Sequence, residues 1–309
     1  MSDTPSRPVP FSGAWPALLT PLDDRLDIEH SRLASHAKAL LLAGCGGVTL
    51  FGTTGEGPSF SLAERQEALQ QMIARGVPAE RIIVSTSCAA LPETLALTQH
   101  AVQSGVHGCL MLPPFFMKGV SDAGIEACYR QVIDAVGPRG WRLYLYHIPQ
   151  VAGVGLSHAL IARLLEAYPE VIAGIKDSAC ERAHSVALAA RFMPPMKVYV
   201  GNEPDLRTLG RLGSTGAISG LANFMPRTVT RLVGAPDGPG VDALEQKVLA
   251  LLATLKPYAL IPAFKHLMAT FDGDEGWRRV RAPLVALDAG EQAALSAALA
   301  PLALNPALD

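Results

Sequence analysis

The sequence predicts a (β/α)₈ TIM barrel, an α/β fold, followed by a C-terminal helical appendage. Eight short runs rich in β-branched residues alternate with eight longer segments of helical periodicity, as parallel strands joined by crossover helices do. The chain has 309 residues, 49% of them hydrophobic, which is enough to bury a large core. A doubly wound sheet is the rival architecture. It usually places a glycine-rich turn after its first strand, where this chain has Thr20-Pro21-Leu22-Asp23.

Each predicted strand is short and is bounded by glycine, proline or polar residues. The first follows Gly13 and stops at Pro21, and the fifth and sixth are nearly continuous apolar runs, the pattern of a strand buried on both faces. In chain order the predicted strands are 14–20, 47–51, 81–86, 108–112, 141–146, 171–175, 197–200 and 217–219.

The predicted helices follow the strands one by one. In the first, Leu33, Ala37 and Leu40 recur at helical spacing. In the second, Ser61 and Glu64 have the spacing of a capping box. In chain order the predicted helices are 28–42, 61–74, 92–103, 122–136, 157–167, 181–192, 205–212 and 226–233.

A glycine- and proline-rich stretch at 234–240 marks a change in the pattern. Beyond it, the segments 241–255, 258–270 and 291–302 are helix-like and have no strands between them. We therefore expect two parts: a barrel at 1–234 that holds the active site, and a helical appendage at 241–309.

Composition excludes several classes of protein. Charged residues are 17% of the chain and the net charge is −2, with no basic stripe, which argues against a nucleic-acid or anionic-membrane partner. No apolar run is long enough to span a membrane, and residues 1–10 lack the apolar core of a signal peptide. The five cysteines are far apart and include no CxxC pair, so neither a zinc site nor a disulfide framework is expected. A reduced, cytoplasmic protein is predicted.

The reactive side chains stand where two predicted strands end. Lys176 follows an apolar run, and Tyr146 ends the strand before it. Burial disfavours the charged amine, which helps a lysine that must attack a carbonyl. The structural alternatives are a lysine that reaches solvent and a core tyrosine whose hydroxyl is satisfied. Active sites of such barrels lie at the carboxyl ends of the strands, where both residues are predicted.

The loop from Gly52 to Gly57, with the sequence GTTGEG, follows the second predicted strand. Its glycines and the hydroxyls of Thr53 and Thr54 suit a carboxylate, although an ordinary glycine turn has the same composition. The loop lacks the GK[ST] ending of a nucleotide-binding loop. Together with Lys176, it suggests a 2-oxo acid whose ketone forms a Schiff base while Tyr146, through Thr53, moves protons.

Four segments resemble the N-acetylneuraminate lyase/dihydrodipicolinate synthase superfamily of pyruvate-dependent class I aldolases. They occur in the family's order: Gly52-Thr53-Thr54-Gly55-Glu56, Tyr146-His147-Ile148-Pro149, Gly174-Ile175-Lys176-Asp177-Ser178 and Gly216-Ala217-Ile218-Ser219. The resemblance implies that Lys176 is the Schiff-base lysine and Tyr146 the acid/base. It also implies that Thr53, Thr54 and their loop glycines, Gly52 and Gly55, hold the pyruvate carboxylate, and that the Ile218 carbonyl faces the pyruvate. A homotetramer without a metal or other cofactor is implied as well.

The chain departs from the dihydrodipicolinate synthases of this superfamily at three positions. Val151 stands where those enzymes carry an arginine, and Phe115 and Phe116 replace a pair of tyrosines. These departures argue against lysine biosynthesis and put a proton relay between subunits in question. His147 stands where many members have asparagine or serine, and the sequence gives no reason for it.

The remaining matches are nearest to aldolases of 2-keto-3-deoxy sugar acids or of 4-hydroxy-2-oxoglutarate. Ser178, Asn202 and Glu203 are candidates to bind hydroxyls of the distal half of the substrate, with capping and loop hydrogen bonds as their structural alternative. The leading hypothesis is reversible aldol cleavage of such a sugar acid, with a neutral polyol tail, to pyruvate and an aldehyde. A dehydratase that uses the same imine is the alternative, and a non-catalytic 2-oxo acid binding protein is a third reading.

Overall fold

The computed structural model describes residues 12–305 and 309, and the strands in this part of the chain form one parallel sheet curled into a barrel. The predicted TIM barrel is therefore confirmed, while the lead-in at 1–10 lies outside the described residues. The strands are β1 (Gly13–Ala14), β2 (Val48–Leu50), β3 (Ile82–Ser85), β4 (Gly108–Met111), β5 (Leu143–His147), β6 (Ile172–Asp177), β7 (Lys197–Val200) and β8 (Gly216–Ala217).

The strand order β1-β8-β7-β6-β5-β4-β3-β2 places β2 to β8 in sequence order, with β1 beside β8. A parallel bridge between Ala17 and Thr49 joins the first strand segment to β2 and closes the ring. The first strand is much shorter than the predicted 14–20. Pro16 has no N–H to donate toward β2, so the regular ladder is interrupted there, although Leu18 N–H still donates to the Thr49 carbonyl at 2.9 Å.

Helices cover the outside of the barrel and continue into the appendage. They are α1 (His30–Leu42), α2 (Leu62–Ala74), α3 (Leu91–Gln103), α4 (Asp122–Val136), α5 (Pro149–Ala152), α6 (His158–Ala167), α7 (Arg182–Phe192), α8 (Leu206–Arg211), α9 (Pro226–Gly234), α10 (Val241–Leu255), α11 (Leu260–Asp272) and α12 (Ala289–Leu299). The capping box of Ser61 and Glu64 at the start of α2 is confirmed. The single turn α5, which follows β5, was not predicted.

The inside of the barrel is filled by aromatic side chains in layers. Trp15, Tyr144 and Tyr199 are fully buried, and Tyr199 contacts the other two edge-on, with ring centroids 6.5 Å from Trp15 and 5.6 Å from Tyr144. Because side chains alternate along a strand, Tyr146 lies two residues further along β5 on the same inner face, toward the carboxyl end. The layer of Trp15, Tyr144 and Tyr199 thus closes the barrel on the amino-terminal side of the predicted site.

The appendage shares the outer core of the barrel. Phe264 of α11 packs against Phe224 with ring centroids 5.1 Å apart, and Trp277 packs against His36 at 5.3 Å. Residues of α10, α11 and α12 belong to the same apolar cluster as the barrel helices, so the division at residue 234 stays a prediction. Among the described residues no single helix is long and apolar enough to cross a membrane; α10 and α11 together pass on length and composition but are bent by 116°.

Candidate active site

Lys176 and Tyr146 meet at the carboxyl end of the barrel. They are paired in register on β6 and β5, and both are almost fully buried. The Lys176 Nζ lies 4.4 Å from the centroid of the Tyr146 ring. Side chains alternate between the two faces along each strand, and both Lys176 and Tyr146 fall on the inner face, as a shared active site requires.

The Tyr146 hydroxyl lies 3.2 Å from the Thr53 Oγ1, and either atom can donate the hydrogen bond. This contact joins β5 to the loop after β2. The sequence predicted that Tyr146 exchanges protons through Thr53, which requires such a contact. It gives the phenol a hydroxyl partner through which a proton can pass.

The loop 52–57 is a tight turn held by its own backbone. Glu56 N–H donates to the Thr53 carbonyl and Gly57 N–H to the Gly52 carbonyl. A side chain at Gly57 would place its Cβ 2.1 Å from the Phe51 carbonyl oxygen, so only glycine fits. Within the described part of the chain, the backbone N–H groups of Thr53 and Thr54 have no protein acceptor. They are therefore available to an anion.

A buried ion pair anchors this loop to the appendage. Glu56 Oε1 and Lys265 Nζ are 2.5 Å apart and both side chains are fully buried. Lys265 also donates to the Arg279 carbonyl at 2.6 Å. Burial raises the pKa of Glu56 and lowers that of Lys265, because it disfavours both charged forms. Sequence reasoning gave Glu56 no role and missed Lys265, since a lone lysine in an apolar helix carries no partner signal.

Gly201, after β7, lies against the Lys176 side chain. A Cβ there would come 2.9 Å from Lys176 Cε and 1.9 Å from Ser178 Oγ. The buried Ser178 Oγ has no hydrogen-bond partner in the described residues. Sequence reasoning placed Gly201 at a strand end but did not single it out, because only the folded arrangement reveals the close approach.

The structure places the other predicted binding residues around the same end of the barrel. Thr54 faces the loop after β8, where a Cβ on Gly220 would lie 3.2 Å from its Oγ1. Ile218 is buried in the inner cluster with Tyr146. Asn202 Nδ2 donates to Asp205 at 2.7 Å, and Ser219 Oγ donates to Glu203 at 2.8 Å. Contacts of these residues with a substrate stay predictions.

His147 lies on the outer face of β5, where its neighbours suggest a metal site. His147, Asp177 and His184 each have a potential ligand atom within 4.8 Å of the others. However, His147 Nδ1 accepts the Leu156 N–H at 3.0 Å, so the neutral ring carries its proton on Nε2. Neither nitrogen then offers a free lone pair, which a ligand histidine needs. His147 instead fixes the backbone between α5 and α6.

The residues that depart from the dihydrodipicolinate synthase pattern lie beside the site. Phe115 and Val151 both line a cavity that also reaches Tyr146 and Thr53. Lys118 donates to the Phe115 and Ala152 carbonyls and so holds the two walls together. Phe116, by contrast, is 72% exposed.

Comparison with known proteins agrees with this geometry. The model of the dihydrodipicolinate synthetase family matches residues 10–302. An uncharacterized DapA-like lyase of Chloroflexus aurantiacus is 35% identical over 289 residues, covering 93% of this chain and 95% of that protein.

Two solved structures extend the comparison. Dihydrodipicolinate synthase from Agrobacterium tumefaciens superimposes with a TM-score of 0.87 at 33% identity, covering 94% of this chain and 99% of that one. YagE, a prophage protein of the dihydrodipicolinic acid synthase family from E. coli K12, solved in complex with pyruvate, gives 0.86 at 26% identity, covering 96% and 99%.

Proposed function

The chain belongs to the dihydrodipicolinate synthetase family, and we propose that it is a class I lyase. The proposed reaction is the reversible cleavage of a 4-hydroxy-2-oxo acid to pyruvate and an aldehyde. Members of this family are lyases and synthases. The 2-keto-3-deoxy sugar acids suggested by the sequence belong to this substrate class. One observation carries the proposal: Lys176 Nζ lies 4.4 Å from the Tyr146 ring centroid, inside the barrel.

The first step joins Lys176 to the substrate. The neutral amine attacks the ketone carbon, the ketone oxygen gains a proton, and loss of water leaves a protonated imine. Lys176 is 5% exposed and lies beside Tyr146, which supports this role because the amine and its proton-transfer partner are held together away from solvent. Thr53 and Thr54 hold the substrate carboxylate with their backbone N–H groups, joined by the glycines of their loop, Gly52 and Gly55.

Cleavage then breaks the bond between C3 and C4. The 4-hydroxyl loses its proton, the electron pair of the broken bond moves into the imine, and the aldehyde leaves behind an enamine. Tyr146 takes and returns these protons, with Thr53 as its partner at 3.2 Å. Protonation at C3 and addition of water release pyruvate and restore Lys176.

The test is product analysis with matched lysine variants. Wild-type protein should release pyruvate from 4-hydroxy-2-oxo acids. Lys176→Ala should lose activity by about 10³-fold or more, because the covalent route is removed. Lys197→Ala, at the start of β7 and therefore at the opposite end of a strand, should keep it. Equal activity of Lys176→Ala and wild type would overturn the proposal.

The same experiment separates the alternatives. A dehydratase using the same imine would remove a proton from C3 and the hydroxyl from C4 as water. It would yield a dehydrated 2-oxo acid instead of an aldehyde. A binding protein would form no product from any 2-oxo acid. The Val151, Phe115 and Phe116 departures make lysine-biosynthesis activity the least supported outcome.

We extend the proposal to the assembly. Family members are oligomeric, and Phe116 and Met117 are 72% and 64% exposed beside the site, which a second copy of the chain would cover. A homotetramer is expected. Light scattering during size-exclusion chromatography tests it, and a mass of a single chain at micromolar concentration would contradict it.

A further inference from the structure

The cavity that reaches Tyr146 and Thr53 encloses about 460 Å³. Its walls beyond these two residues come from the loops after β2 and β4, from the end of β3, from α5 and from the appendage. The apolar part of the wall consists mainly of Leu112, Phe115, Val151, Ile261, Pro283 and Leu284. Lys176 is not among the described lining residues, so the proposed imine lies next to this cavity, beside Tyr146, and the space is left for a second reactant.

The polar groups of this cavity are largely occupied. Glu56 is paired with Lys265 at 2.5 Å, and Ser87 Oγ accepts the Leu112 N–H at 2.7 Å. Thr53 and Tyr146 contact each other. Two hydroxyls, of Ser59 and Ser85, remain to meet a second reactant, since the free Thr53 N–H is assigned to the pyruvate carboxylate.

The cavity also lacks a cation. No lysine, arginine or histidine is among its described lining residues, and its single ionisable group besides Tyr146 is the carboxylate of Glu56. A second carboxylate on the substrate would lose water here without gaining a counter-ion. A polyol tail would exchange its hydrogen bonds to water for few protein partners.

We infer that the aldehyde released or consumed by this enzyme is apolar, with an aromatic ring or a branched aliphatic chain against the walls of this cavity. The inference rests on the proposed function, and it replaces the expected polyol tail. In the synthetic direction, the enamine carbon of pyruvate forms a bond to the aldehyde carbon, the aldehyde oxygen takes up a proton, and water releases the 4-hydroxy-2-oxo acid from Lys176.

Val151 is the residue whose identity fixes this preference. It lines the cavity, it is 60% exposed, and it occupies the position at which the resemblance places an arginine. Arginine pairs with carboxylates through two parallel hydrogen bonds. Val151→Arg should therefore convert an apolar wall into a carboxylate site without disturbing a packed core.

The experiment compares three aldehydes with the full-length protein and pyruvate: benzaldehyde, D-glyceraldehyde and succinic semialdehyde. We expect kcat/KM for benzaldehyde to exceed the other two by about tenfold or more, as hydrophobic complementarity allows. Val151→Arg should lower the ratio of benzaldehyde to succinic semialdehyde by about tenfold or more. Leu42→Arg is the control for added charge, because Leu42 is 88% exposed at the end of α1 and should leave the ratio unchanged.

Exchange of the pyruvate methyl protons in D₂O, followed by NMR, distinguishes failure of the proposed function from failure of the inference about the aldehyde. It requires the imine and enamine but no aldehyde. Exchange together with equal or better use of D-glyceraldehyde or succinic semialdehyde would overturn the inference and leave the proposed function standing. Absence of exchange would overturn both.

Discussion

Lys176 is buried at the end of β6, with Tyr146 beside its amine. It is 5% exposed, and its Nζ lies 4.4 Å from the centroid of the Tyr146 ring. In the proposed reaction this places the nucleophile and its acid/base partner side by side, away from solvent.

Gly201 provides the space that the Lys176 side chain needs. Gly201→Ala would force a Cβ to within 2.9 Å of Lys176 Cε and 1.9 Å of Ser178 Oγ. We expect a loss of stability of about 1–3 kcal/mol from overpacking, together with a larger fall in kcat than in binding of pyruvate. Chemical unfolding and steady-state kinetics measure the two effects.

Gly234→Ala is the matched control, because a Cβ at Gly234, in the last position of α9, would meet nothing within 4 Å. It should leave both measurements within error of wild type. Full activity in Gly201→Ala would contradict the close packing of Gly201 against Lys176.

For single residues, the sequence predicted those whose chemistry follows from their residue type. The meeting of Lys176, Tyr146 and the Thr53 loop at one end of the barrel could be predicted because each lies at the end of a recognisable strand. Gly201 and Lys265 could not, since their importance depends on which atoms approach them from distant parts of the chain. His147 was unexplained for the same reason: its partner, Leu156 N–H, is set by the course of the loop around α5.

The connection from β5 to α6 contains a pH-sensitive group. Burial is the main cause that lowers the pKa of His147 to about 4; Asp177 opposes this lowering, and His184 and His158 contribute to it. The unfolded chain, with a histidine pKa of 6.5, then binds more protons than the folded one between these values. Stability is therefore complete above about pH 6.5 and is lost as the pH falls toward 4.

His147→Asn keeps an acceptor for the Leu156 N–H while removing the titration. We expect its urea-unfolding free energy to fall less than that of wild type between pH 7 and pH 4, by on the order of 2 kcal/mol. His107, whose pKa is also lowered to about 4 by burial, continues to titrate in both proteins. Identical slopes for the two proteins would rule out this account of His147.

The pair of Glu56 and Lys265 links the loop 52–57 to α11. Lys265→Met should cost about 3–5 kcal/mol, because it leaves a buried carboxylate unpaired, and should raise KM for pyruvate by loosening the loop. Since burial already raises the pKa of Glu56 above 4.5, the variant should lose further stability as the pH rises from there. Unfolding at several pH values measures this.

Glu56→Gln combined with Lys265→Met tests the cause. The double variant removes both charges, so it should recover stability relative to Lys265→Met alone and lose that extra pH dependence. A double variant as unstable and as pH-dependent as the single one would show that the pairing is not what anchors the loop.

Element types were predicted well and their ends less so. Alternating apolar runs and helical periodicity identified the eight strands and their helices, because a buried strand and an amphipathic helix impose different spacings. The first strand was predicted too long because Pro16 interrupts a ladder whose partner, β2, cannot be identified from local sequence. The turn α5 was missed because four residues are too few to show a period.

For the molecule as a whole, the barrel could be predicted and the position of the appendage could not. Composition revealed three helix-like segments after residue 240, but not that the appendage supplies Lys265 to the ion pair with Glu56 and Ile261 and Pro283 to the cavity beside Tyr146. The expectation of a polyol tail came from the absence of an arginine. The folded cavity adds apolar walls that the linear order of residues separates by more than a hundred positions.

Borohydride trapping shows whether Lys176 forms an imine with pyruvate. Reduction of the protein with pyruvate, followed by peptide mass spectrometry, should place one reduced pyruvate adduct on Lys176 and none in Lys176→Ala. An adduct on Lys118 or Lys197 instead, or no adduct at saturating pyruvate, would contradict the mechanism and favour a 2-oxo acid binding protein.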